Sequence, residues 1–174
     1  MLTKKTTALL VAILFMITVA AVSVTIWAVF FREDDTVLAP DYAPVEKEEL
    51  AETIPGDAGD KMESEKGGGS VSLSYTDKAT IDLGDKTVSL MFANPGRSNQ
   101  DMVLQIVIQD TVIVQSGTLS PGNRVTTLNL LPGAEKRLVP GGYEGKILVF
   151  YYSEETGEKA MVNTEIPITI TIQE

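Results

Sequence analysis

The stretch DMVLQIVIQ, Asp101 to Gln109, decides how the chain is read. Met102, Leu104, Ile106 and Ile108 fall on one face, with Gln105 and Gln109 opposite. That is the period of two expected of a β-strand with one buried side. The same period recurs on either side of it. KTVSLMF (86–92) places Val88, Leu90 and Phe92 together, and TVIVQSG (111–117), RVTTLNL (124–130), KILVFYY (146–152) and EIPITITI (165–172) follow. VSLSY (71–75) and TIDL (80–83) are shorter runs of the same kind. Turn signals separate them: NPG at 94–96, SPGN at 120–123, PGG at 140–142 and EETGEK at 154–159. Short strands broken by such turns every 8–12 residues or so predict an all-β domain over 71–174, an antiparallel sandwich of about seven strands.

The chain before Val71 divides in two. From Ala8 to Phe31 there is no charged side chain. As a helix this run would be about 36 Å long, enough for a hydrocarbon core of about 30 Å. Lys4 and Lys5 precede it, REDD follows it, and Trp27, Phe30 and Phe31 lie where an interfacial belt belongs. The expectation is a cytoplasmic stub (1–7) and a transmembrane signal anchor (8–31), with everything beyond Arg32 outside the cell. A cleaved signal peptide ending near Ala21 and Ser23 is the rival, but its apolar region would be too long. Residues 32–70 hold twelve Asp/Glu against four Lys/Arg, with three prolines and a GGGS end. So little apolar surface predicts a disordered acidic stalk.

Composition removes several functions. The net charge is −10, and the +2 of Lys4 and Lys5 leaves −12 for the rest. Nucleic acid, which needs basic patches to replace counterions, is excluded as a partner. There is no cysteine and no histidine. Thiol nucleophiles, Ser-His-Asp triads, His-based zinc sites and a neutral-pH proton shuttle are therefore absent. No cofactor is implied and no catalytic residue is assigned.

LVPGGYEGKILVFYY (138–152) resembles a pattern of bacterial immunoglobulin-like and fibronectin-like domains, in which a Pro-Gly turn leads to a tyrosine opening the penultimate strand. The resemblance implies an immunoglobulin-like sandwich with Tyr143 as its tyrosine corner. With Tyr143 pointing inward, Ile147, Val149 and Tyr151 point inward too, and Leu148, Phe150 and Tyr152 point away. The run from Phe92 to Leu130, with GEKAMVNTEIPITITIQE (157–174), also resembles an uncharacterised family of small single-pass surface proteins of Gram-positive bacteria. That likeness implies fold and topology and carries no activity.

Two places could bind. The loop NPGRSNQD (94–101) offers Arg97, Asn99, Gln100 and Asp101 to a sugar or peptide backbone. The outward set Leu148, Phe150 and Tyr152 puts apolar groups on both faces of one strand, which calls for a covering loop, a second chain or a partner. Asp77, Asp82 and Asp85 cluster, but their spacing matches no calcium loop, so no metal site is assigned. Pro167 within the last strand predicts an edge, open to strand addition. The resulting expectation is a non-enzymatic, membrane-anchored binding or assembly module of the cell envelope. It would contact an envelope protein or itself. The alternative is a carbohydrate- or peptidoglycan-binding surface domain.

Overall fold

The structure is a computed structural model and describes residues 13–22, 39–57, 59–64 and 68–174. The chain divides into two compact units, Met1–Asp35 and Thr36–Glu174. In the first, residues 13–22 are helical, with Ile13 to Ile17 exposed. Among the described residues no helix is long and apolar enough to cross a membrane. The expected span of 8–31 lies mostly outside them.

The second unit is built from strands β1 (Glu52–Thr53), β2 (Ser74–Tyr75), β3 (Lys78–Asp82), β4 (Thr87–Asn94), β5 (Gln100–Ile108), β6 (Thr111–Gln115), β7 (Asn123–Asn129), β8 (Gly141–Ser153) and β9 (Lys159–Gln173). They pair in the order β1-β7-β4-β3-β9-β8-β5-β6, with β2 added to β4. The path folds over on itself, because one face of every strand from β3 to β9 contributes to a single core. Ala79 and Ile81, Val88 and Phe92, Met102 to Ile108 at alternate positions, Ile147 to Tyr151 and Ile166 to Ile172 all meet there. The layer holding β4 and β7 thus packs on the layer holding β9, β8, β5 and β6, an immunoglobulin-like arrangement. β3 turns the corner between them. It runs antiparallel to β4 (Ile81 opposite Val88) and parallel to β9 (Lys78 opposite Thr169, Asp82 opposite Gln173).

Alternation explains most of the strand faces. Each wholly buried aliphatic or aromatic side chain, such as Ile81 or Phe92, stabilises by about 1.5–3 kcal/mol. Tyr143 donates its hydroxyl to the Val139 carbonyl at 2.9 Å, tying the β8 entry to the loop before it. Gly145 lets β8 pass close to its neighbours: a Cβ there would stand 2.5 Å from Ile170 Cδ1 and 2.9 Å from the Val107 carbonyl. The β5–β6 hairpin turns on Gln109 and Asp110, both at positive φ (48° and 62°). A two-residue turn of that hand usually takes Asn-Gly, so Gln-Asp is a weak signal for it.

The expected disordered stalk over 32–70 is corrected from Ala39 onward. Residues 39–57 and 59–64 form a strap across one end of the sandwich, where the loops 95–99, 116–122 and 154–158 lie. Ala43 N–H donates to the Gly157 carbonyl (2.7 Å) and Lys159 N–H to the Asp41 carbonyl (2.9 Å). Thr118 then exchanges bonds with Glu46 and Glu48, β1 pairs with β7, and Met62 N–H reaches the Arg97 carbonyl (2.8 Å). Composition misled here because the strap is held by its backbone, not by apolar burial. The Ala-Pro steps at 39–40 and 43–44 favour extended chain, ready to lie along other strands.

Candidate functional site

The strap changes the meaning of both predicted binding regions. In the loop, Asn99 accepts the Ser70 N–H on Oδ1 (2.7 Å) and donates from Nδ2 to the Ser64 hydroxyl (2.9 Å). Gln100 opens β5 and lies so close to Gly69 that a Cβ on that glycine would overlap its amide. Arg97 is exposed, and its carbonyl is taken by Met62. Asp101 faces Ser120, Glu154, Lys47 and Lys61. Burial, and then the Glu154 carboxylate, hold its carboxyl above the ordinary range, against the pull of the Ser120 hydroxyl and the two lysines. One of its oxygens has no hydrogen-bond partner. Three of the four predicted residues therefore meet residues 47–70 of the same chain rather than open solvent.

Residues that sequence reasoning missed hold this end together. Asn94 is wholly buried and donates from Nδ2 to the carbonyls of Gln100 and Leu119, each at 2.9 Å. Two strap carboxylates cap loop backbone: Glu48 accepts from Gly117 N–H (2.7 Å) and Asp57 from Gly96 N–H (2.6 Å). Glu52 pairs with Arg124 and Lys61 with Glu154. At Asp82 the carboxylate accepts the Asp85 N–H (2.9 Å), which makes it a turn cap. Among the described residues no group of three or more acids converges as a metal site.

The outward face of β8 is covered by the chain itself. Val103, Phe150 and Tyr152 form a second small cluster, with Ala39, Ala43 and Leu148 against it. Tyr152 donates to the Pro40 carbonyl at 2.9 Å, and the Lys159 ammonium lies 5.3 Å from the centre of the Phe150 ring. Burial, and then the Asp41 carboxylate, raise the Tyr152 hydroxyl above its ordinary range. Beside this cover a cleft of ≈ 530 Å³ is lined by Ala39, Leu148, Phe150 and Val107 together with Lys146 and Lys159.

The last strand divides in two. From Thr169 to Gln173, β9 lies between β8 and β3 and is no edge, which corrects the expectation for that half. Between Lys159, which the strap engages, and Thr169, β9 pairs among the described residues only with β8, and there it has an open edge. Thr169 N–H donates to the Asp77 carbonyl on the β3 side (2.9 Å), so by alternation the nitrogen of Pro167 faces the same, open side. The missing donor falls where no strand asks for it. The register slips where Phe150 pairs with Asn163 and Tyr152 with Lys159. This bulge at 160–162 turns Met161 out completely and leaves Val162 69% exposed. The signal was in the sequence: Met161 and Val162 interrupt a polar strand entrance just before the regular Ile alternation begins.

No protein-family model matches the chain, and no curated protein does, so the Gram-positive family likeness finds no support. Among solved structures the chain is similar to the periplasmic chaperone SfaE (TM-score 0.35, 15% identity, covering 60% of this chain and 58% of that one). It is also similar to AggA, the major subunit of aggregative adherence fimbriae type I from Escherichia coli (TM-score 0.28, 12% identity, 61% and 96%). The chain thus spans little more than half of the chaperone's length. At these scores neither likeness carries the functional argument.

Proposed function

We propose that this protein is a non-enzymatic binding module of the cell envelope that acts through protein–protein contact. It is held in the membrane by residues 8–31 and displays Thr36–Glu174 on the outer side. One observation carries the contact: the exposed apolar pair Met161 and Val162 sits on a bulge beside an unpaired strand edge. Sandwich proteins blunt their open edges, because unpaired backbone next to apolar side chains recruits other chains. The sugar-binding alternative has less to draw on, because Asn99 of its polar loop is bonded to Ser64 and Ser70 while Arg97 remains exposed.

The test is a crosslinking pull-down from intact membranes, comparing wild type with the double variant Met161→Ser, Val162→Ser. Circular dichroism first checks that the variant folds. The expected result is a defined protein complex that the variant loses. A complex retained in the variant would place the contact elsewhere, and absence of any complex in both would sink the reading. Alkaline extraction of the same membranes tests the anchor: the protein is expected to stay in the pellet.

A further inference from the structure

The unpaired stretch of β9 is bounded by the chain itself at both ends. At its start, the strap runs antiparallel to it through Lys159 N–H to the Asp41 carbonyl and Ala43 N–H to the Gly157 carbonyl. At its end, β3 takes over from Thr169. Between them, alternation counted from Thr169 turns the backbone groups of Asn163 and Glu165 and the carbonyl of Pro167 toward the gap. Among the described residues nothing bonds them there. The groups of Thr164 and Ile166 face β8 instead, opposite Val149 and Ile147.

The length of this gap selects its occupant. A second copy pairing through its own β9 is too long. In any antiparallel register centred on the gap, one end of that fifteen-residue strand would run through the place of Asp41 and Ala43. What fits is an extended stretch of about five residues that enters and leaves the sheet between the strap and β3. At one end it passes the exposed Met161 and Val162, so an apolar side chain is favoured there. Glu158 flanks the gap, Glu165 within it is paired with Lys146 (3.3 Å), and the net charge of −10 disfavours an acidic occupant.

We infer that the β9 edge from Met161 to Pro167 takes a short extended segment of another polypeptide by strand addition, one that is apolar at the Met161 end and not acidic. The inference rests on the protein-binding reading above and names the site and the partner's chemistry.

The test places the photo-crosslinker p-benzoylphenylalanine at position 161 of the full chain in its native membranes and maps the products by mass spectrometry. Two further variants separate backbone from side chain. Asn163→Pro removes an N–H that faces the gap without breaking a bond to β8, whereas Asn163→Ala keeps that N–H. Crosslinks are expected within one contiguous stretch of another protein. Their yield should fall about tenfold in Asn163→Pro, the worth of a lost edge bond, and stay unchanged in Asn163→Ala. Crosslinks to β9 of a second copy would overturn the inference, as would equal yields from the proline and alanine variants. A complex that survives in the pull-down but never crosslinks from position 161 would overturn it while leaving the binding module intact. Loss of both would remove the two together.

Discussion

In the sandwich, Ile81, Val88, Phe92 and Leu104 are wholly buried, and withdrawal of such side chains from water holds the two layers together. In the strap, no described residue between 39 and 64 is fully buried. It stays down through backbone bonds to Gly157, Lys159, Thr118 and Arg97 and through the carboxylates of Glu48 and Asp57. Each such bond is worth only about 0.5–1.5 kcal/mol net. A segment too polar to form a core can still be ordered when a finished scaffold offers partners for its backbone. It should also be the first part to open, because little apolar surface resists its release.

The comparison breaks most readily at the core. Phe92→Ala is expected to cost about 3–5 kcal/mol and to lower the melting temperature by about 10 °C or more, read by thermal unfolding. A sharper contrast comes from one substitution made in each region. Gly145→Ala drives a Cβ into Ile170 and the Val107 carbonyl and is expected to cost about 1–3 kcal/mol of global stability. Gly117→Ala brings a Cβ to 2.8 Å from the Glu48 nitrogen and 2.9 Å from the Lys47 carbonyl carbon, that is, into strap backbone. Here the melting temperature should move by only a few degrees, while limited proteolysis within 40–64 speeds up by about tenfold. Equal melting shifts for the two glycines, with no gain in proteolysis, would show the strap to be as integral as the core.

The smallest effect lies where the regions touch. Burial, with Glu154 adding to it, raises the Asp101 carboxyl, so the folded state holds that proton more tightly than the unfolded chain does. Its contribution favours folding below the ordinary carboxylate range and is lost as pH rises through the raised folded value. Asp101→Asn keeps a group for the Ser120 hydroxyl and removes the charge. It is expected to raise the melting temperature at pH 7 by about one or two degrees, with the gain gone near pH 3. A gain that persists at low pH would assign the effect to something other than the charge.

What the sequence disclosed follows the same division. Val88, Leu90 and Phe92, or Ile166 to Ile172, declare their strands because burial acts on every second residue, and alternation records burial. Leu148, Phe150 and Tyr152 were legible as a second apolar face, but not what covers them, since Ala39 and Ala43 are small and distant in sequence. Pro167 pointed to an edge and was right for half of β9; where β3 begins its parallel pairing is set by tertiary packing. The strap was illegible because backbone hydrogen bonds leave no imprint on side-chain hydrophobicity. The loop at 94–101 looked free for the same reason: a polar side chain that binds a ligand and one that clasps its own chain are the same residue type.

The pairing of β3 with β9, and of the strap with Gly157 and Lys159, also sets an order of events. Each early segment has a nearer partner, β4 for β3 and Thr118 and Arg97 for the strap, but each is completed only by a second one near residues 157–173. As synthesis proceeds from the N-terminus, neither of these two pairings can form until β9 has emerged, and such distant closures are slow. The strap and β3 therefore wait with one side unpaired until β9 is available. Completion of the fold is gated by its final strand.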